Sequence, residues 1–166
     1  MTTFVSVGNA TQPFNRLIEA VFKIAPKLPQ AVVLQHGHTL FPAVEGCISR
    51  PFVEMEDFAH LVAHAELLIL HAGAGSVIHA IKAGKVPVVM PRRAKYGEHV
   101  DDHQLEFARA LAEAGKVVMV EEPKDLMAAV EEAMNRQCLP PSSNVEPLMV
   151  GLISEVLREF VKLSAR

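Results

Sequence analysis

The chain has 166 residues, two cysteines and a net charge of −3. Half of it is hydrophobic and 21% is charged, which excludes a disordered chain and suits one domain with a real core. The mildly acidic balance offers no face for nucleic acid or an anionic membrane, and no apolar stretch approaches the roughly 18 residues of a membrane span. Cys47 and Cys138 lie far apart without metal-ligand spacing. With no signal peptide in view, they read as reduced thiols of a cytoplasmic protein.

In chain order, Phe4–Val7 reads as a short buried strand closed by Gly8 and Asn9. Pro13 opens a helical pattern with Leu17, Ile18, Val21, Phe22 and Ile24 on its apolar face, and Pro26 and Pro29 stop it. Ala31–Gln35 is the next strand and ends at His36-Gly37-His38. A looser segment, Thr39–Arg50, holds a short strand around Cys47 and Ile48. Met55–His64 has a helix face of Met55, Phe58, Ala59, Leu61 and Val62. Leu67–Leu70 is an apolar strand that runs into HAGAGS, residues 71–76, and a helix to Ala83, which Gly84 stops. Val86–Met90 is a strand despite Pro87, which a strand start tolerates. A basic loop follows, PRRAKYGEH, residues 91–99. Asp101 or Asp102 caps a helix to Ala114, Val117–Val120 is a strand, and Glu122-Pro123 opens a helix through Met134. Leu139–Asn144, with two prolines and two serines, is a linker, and Val145–Leu163 is a last amphipathic helix.

Short apolar strands alternating with amphipathic helices predict an α/β fold: a single Rossmann-like domain with a parallel sheet over residues 1–138, then linker and helix over 139–166. Ligands of such sheets bind at the carboxyl ends of the strands. The turns expected there are GNA (8–10), HGH (36–38), HAGAGS (71–76) and PRRAKYGEH (91–99), each rich in Gly, His or Arg.

HAGAGS is the stretch around which these turns group. A strand that ends in a Gly-rich turn at a helix N-terminus aims backbone N–H groups and the positive end of the helix dipole at one spot. Gly73, Ala74, Gly75 and Ser76 are therefore the candidate seat of a phosphate or diphosphate. Ser76 alternatively reads as a plain helix cap, and the turn as a ligand-free corner.

The longer string HAGAGS…GKVPVVMPRRAKYGEHVDDHQLEFA, residues 71–108, resembles the nucleotide-sugar-binding half of family 28 glycosyltransferases of the GT-B fold. VSVGNATQPFNRL (5–17) and GHTLF (37–41) are similar to that group as well. The likeness covers roughly residues 4–135. It points to the small subunits of two-component enzymes. One group makes bacterial exopolysaccharides, often transferring glucuronic acid. Another is the cytosolic subunit that adds the second GlcNAc to a dolichol-linked sugar.

The resemblance implies the C-terminal, donor-binding half of a GT-B enzyme. It implies inverting transfer from a UDP-sugar to a lipid-linked acceptor. One domain's length leaves the acceptor half to a membrane-associated partner subunit, which recruits this chain to the inner face of the membrane. No cofactor and no metal site are expected; the UDP-sugar is the donor substrate.

On the family's Asp/Asn-His-Gln site fall Asp102, His103 and Gln104, with the Gln on the sugar hydroxyls. An amide both donates and accepts, as a diol requires. Asp102 also reads as a helix cap. Arg92, Arg93 and Lys95 are candidates for phosphate or a sugar carboxylate, because Arg forks suit both. Gly8, Asn9, His38 and His71 are further rim candidates; the two histidines equally read as structural. The helix position that holds ribose in uridine-binding relatives falls on His79, which replaces a carboxylate there. Glu98 and Asp101 read as loop and cap residues, so the general base is expected on the partner, with His103 a lesser candidate. Two other readings stand beside this one: a non-catalytic nucleotide-sugar-binding or regulatory module, and a self-sufficient homodimeric enzyme. The final helix, Val145–Leu163, packs either on this domain or on the partner.

Overall fold

The computed structural model describes residues 2–138. In chain order the elements are β1 (Thr3–Ser6), α1 (Asn15–Ile24), β2 (Val32–Gln35), β3 (Cys47–Arg50), α2 (Met55–His64), β4 (Leu67–His71), α3 (Ala74–Lys82), β5 (Val88–Met90), α4 (His103–Glu113), β6 (Val118–Met119) and α5 (Leu126–Gln137). The six strands form one sheet in the order β3-β2-β1-β4-β5-β6, with every pairing parallel.

The sheet is covered on both faces, as its central sequences require. β4, LLILH, is buried along its whole length. Its side chains alternate: Leu67 and Ile69 join a cluster with Leu17, Ile18 and Val21 of α1 and Leu126, Ala129 and Val130 of α5. Leu68 and Leu70 face the other way, with Phe4, Val62 of α2 and Ala80 of α3. A third cluster joins Val77 and Ile81 of α3 to Phe107, Ala108 and Leu111 of α4. Each fully buried Leu, Ile, Val or Phe contributes roughly 1.5–3 kcal/mol of burial.

Several element bounds differ from the sequence reading, each for a local reason. α1 starts at Asn15 and not at Pro13, because the Phe14 amide is held by Thr39 Oγ1 at 2.9 Å. Pro26 does not end the chain's turn; it sits within a single 3₁₀ turn, Ala25–Lys27, that extends α1. β5 begins after Pro87, whose carbonyl still accepts the Val118 amide at 3.0 Å. β2 and β3 are parallel neighbours joined by residues 36–46 without a helix. Among the described residues no helix is long and apolar enough to cross a membrane. The linker 139–144 and the helix assigned to Val145–Leu163 lie outside the described residues.

Candidate functional site

The order of the strands fixes where a ligand can enter. From β1 the chain moves outward to β2 and β3; from β4 it moves the opposite way to β5 and β6. The connections therefore diverge between β1 and β4, the winding that in parallel sheets leaves a crevice above the strands' carboxyl ends. Gly8 follows β1 there, and His71, Gly73 and the N-terminus of α3 follow β4.

α3 starts as the Gly-rich turn demands. Gly73 is its cap residue, in an extended conformation, and the first α-helical bond runs from the Val77 amide to the Gly73 carbonyl at 3.0 Å. The amides of Ala74, Gly75 and Ser76 precede that bond and have no acceptor within the helix. Ser76 is thus the third residue of α3 and not its cap. A Cβ at Gly75 would meet nothing within 4 Å. The chain's own packing does not require a glycine there, and open space lies over the helix start.

His71 is 8% exposed and lies under this turn. Its Nδ1 is 3.4 Å from the Ser6 carbonyl, which accepts the ring's proton. Burial, then the Arg92 charge, hold its pKa at about 4 against the Ser6 bond, so the ring is neutral at pH 7. Its Nε2 points between Gly8 and Gly73: a Cβ added at either glycine would overlap it. Gly8 also has φ +76, a second reason for glycine. Beside it, a hydrogen-bond chain runs from Ser6 Oγ to Gln35 Oε1 (2.8 Å) and from Gln35 Nε2 to Asn9 Oδ1 (2.9 Å). Asn9 is held at the rim as an exposed residue. His38 is exposed as well, with its ring edge-on to Phe52 and Nδ1 3.2 Å from the Ala10 carbonyl. His79 turns toward α2 and packs edge-on against Phe58 at 5.8 Å.

The loop after β5 carries the other wall. Gln104, in the first turn of α4, accepts the Arg92 amide on Oε1 at 3.2 Å. Asp102 is the cap residue of α4 by position, but its side chain caps nothing in that helix. Oδ1 instead accepts the Ala94 amide at 2.9 Å and lies 3.7 Å from Arg93 Nε. The cap bond comes from Asp101, whose Oδ1 accepts the His103 amide at 3.1 Å. Asp101 also lies 3.1 Å from the Nδ1 atoms of both His99 and His103. Burial raises its pKa, but the His103 amide bond and the two rings outweigh that and hold it below the ordinary value.

Arg92 departs from the sequence reading. It does not reach out to a ligand at the rim: it is fully buried, and its guanidinium donates to the carbonyls of Val7 (2.8 Å), Gln12 (2.8 Å) and Glu98 (2.9 Å). Arg93 is largely engaged too, with Nη1 3.2 Å from Glu121 Oε2. Of the basic residues in this loop, Lys95 is the exposed one, with Nζ over the Tyr96 ring.

Two residues were missed by the sequence reading. Glu98, taken as a loop residue, is 4% exposed, and its two oxygens accept Nε and Nη2 of Arg16 at 2.9 and 2.8 Å. It also accepts the Arg93 amide at 3.0 Å. A single carboxylate within PRRAKYGEH was the available signal; its partner, 82 positions away, gave none.

The fold and these motifs have known counterparts. Residues 2–147 match the family model described as the glycosyltransferase family 28 C-terminal domain. The chain is similar to the UDP-N-acetylglucosamine--N-acetylmuramyl-(pentapeptide) pyrophosphoryl-undecaprenol N-acetylglucosamine transferases of Acinetobacter baylyi and Rubrobacter xylanophilus. The first is 35% identical over 61% of this chain and 27% of the relative, the second 30% over 83% and 42%. It is also similar to the UDP-N-acetylglucosamine transferase subunit ALG13 of Yarrowia lipolytica, 40% identical over 36% of this chain and 29% of the relative. The chain thus spans less than half the length of these relatives. Among solved structures, the glycotransferase of kitacinnamycin superposes with a TM-score of 0.63 at 20% identity. It does so over 95% of this chain and 38% of its own. The calicheamicin glycosyltransferase CalG4 does so with 0.60 at 19%, over 96% and 39%. At those identities the likeness is one of fold, the Rossmann-like half of a GT-B glycosyltransferase. By the match to its family model, this chain belongs to the glycosyltransferase family 28 C-terminal domain family.

Proposed function

We propose that this chain is the donor-binding component of an inverting glycosyltransferase that takes a sugar from a UDP-sugar and delivers it to a lipid-linked acceptor. The observation that carries the reading is the geometry at the carboxyl ends of β1 and β4. There the unpaired amides of α3 and the open face of Gly75 lie beside the wall that bears Gln104. Amides at a helix start neutralise the diphosphate, first as ligand and then as leaving group. Asp102, His103 and Gln104 form the sugar wall, with Gln104 its polar reader. UDP-GlcNAc is the favoured donor, because the curated relatives are named for UDP-N-acetylglucosamine. UDP-glucuronic acid is the competing donor, with Lys95 the exposed cation for its carboxylate.

The acceptor half, with the general base, is a second, membrane-associated chain that recruits this one from the cytoplasm to the membrane. The relative named as a transferase subunit supports a divided enzyme. Calorimetric titration with UDP, UDP-GlcNAc, UDP-glucuronic acid, UDP-glucose and GDP-mannose tests the donor assignment; binding of none of them removes it. Transfer to a lipid-linked acceptor should need the second chain. An enzymatic rate from this chain alone would overturn the divided reading. The alternative, a regulatory nucleotide-sugar-binding module, predicts donor binding but no transfer with any acceptor-binding partner.

A further inference from the structure

Arg92 heads the largest fully buried side chains among the described residues. Burial depresses its pKa to about 10, partly offset by Glu98, so it carries its charge at neutral pH. A charge kept in the interior needs partners, and of the three guanidinium nitrogens only Nε has none. The shell here is made of main-chain carbonyls from two separate segments, Val7 and Gln12 of the β1–α1 turn and Glu98 of the β5–α4 loop, with the Phe14 ring 4.7 Å below. The backbone amide of the same residue donates to Gln104 Oε1. One residue therefore grips the turn that carries Gly8 with its side chain and the donor-facing glutamine with its backbone.

That second bond also sets polarity. A backbone N–H needs an acceptor, so the Gln104 amide must turn its oxygen to Arg92 and its NH₂ away. Gln104 then meets a ligand as a donor of hydrogen bonds, suited to a hydroxyl or carbonyl oxygen. We propose that Arg92 is a positioning residue for sugar selection: its buried fork holds the β5–α4 loop against the β1 turn, and so fixes the place and polarity of Gln104. The inference rests on the donor-binding reading above.

The test uses the full chain and two readouts. The first needs no ligand. In the wild type the Gln104 side-chain NH₂ should be rigid by ¹⁵N relaxation, with proton shifts displaced from those of a free glutamine. In Arg92→Lys, which keeps the charge and loses the fork, its order should fall and its shifts should move to free-glutamine values while the remaining amide spectrum is preserved. Unchanged Gln104 signals in folded Arg92→Lys would overturn the proposal, whatever the ligand. The second readout is calorimetry with UDP and UDP-GlcNAc. Arg92→Lys should lower the preference for UDP-GlcNAc over UDP by about fivefold, a typical single hydrogen bond's worth, with UDP affinity nearly unchanged. It should add nothing in a Gln104→Ala background. Equal losses for both ligands, or independent losses in the double variant, would overturn it. If Arg92→Lys does not fold, Phe14→Leu, which removes the ring under the guanidinium, carries the same expectations. Mobile Gln104 signals in a protein that binds neither ligand would uphold the positioning role and sink the donor reading instead.

Discussion

Gly73 and His71 exclude each other's growth: a side chain on the glycine would occupy the place of the histidine's Nε2. The two glycines of HAGAGS consequently differ. Gly75 borders open space, so Gly75→Val should keep the fold, judged by an unchanged unfolding transition, and abolish UDP-GlcNAc binding through loss of close approach to the α3 amides. Full affinity in folded Gly75→Val would remove the diphosphate from this turn. Gly73→Val does not serve that purpose, because it must first expel the His71 ring.

Gln104→Ala should weaken UDP-GlcNAc more than UDP, by about 0.5–1.5 kcal/mol, the net contribution of one buried hydrogen bond. Titration of both ligands against the same variant decides it. A parallel loss would mean that Gln104 supports the loop without touching sugar.

His71 makes stability depend on acidity. Its folded pKa is about 4, below the 6.5 of the unfolded chain. The unfolded state therefore binds more protons between those values, and its contribution to stability is full above about pH 6.5 and is lost as pH falls toward 4. Urea unfolding followed across that window should show a slope of at most about 1.4 kcal/mol per pH unit from this residue. His71→Gln should flatten the profile by that share; an unchanged slope would assign the acid sensitivity elsewhere.

The same ring should couple donor binding to protons. With the Nδ1 proton on the Ser6 carbonyl, Nε2 of the neutral ring is an acceptor, and a diphosphate oxygen offers it no donor. Seating the diphosphate there requires protonation of Nε2. UDP-GlcNAc should bind more tightly at pH 6 than at pH 8, with proton uptake visible as a buffer-dependent heat that His71→Gln abolishes. Absence of uptake would place a sugar or ribose hydroxyl, not phosphate, on Nε2.

Glu98→Gln should destabilise the domain by about 3 kcal/mol, because it strips the charge partner from a largely buried Arg16 fork. Differential unfolding of the two proteins at pH 7 reads this directly. A change below ~1 kcal/mol would show that the neutral amide satisfies Arg16 as well.

The sheet was legible because length and composition agree: LLILH is too short for a helix and apolar enough for a strand buried on both faces, and the helices that follow show the 3.6-residue spacing. α2 was bounded correctly from its pattern alone. The Gly-rich turn was legible for the same reason, since few backbones place small residues such as Ala72 and Gly73 between a strand and a helix. The loop 91–99 was not. Its cations looked like a ligand cluster because charge in a loop normally faces water, and nothing local announces a carbonyl shell assembled from residues 7, 12 and 98. Asp101 and Asp102 were interchangeable in sequence; the 3₁₀ turn at Ala94–Tyr96 decided between them by claiming Asp102.

The acceptors of the Arg92 fork are all main-chain oxygens. Val7, Gln12 and Glu98 could each change identity and still present the same carbonyl, whereas no other side chain carries a five-donor fork to replace the arginine. Drift at those three positions leaves no correlated substitution at Arg92. Methods that infer neighbours from paired sequence changes would be blind to the contact that joins the two walls of this crevice.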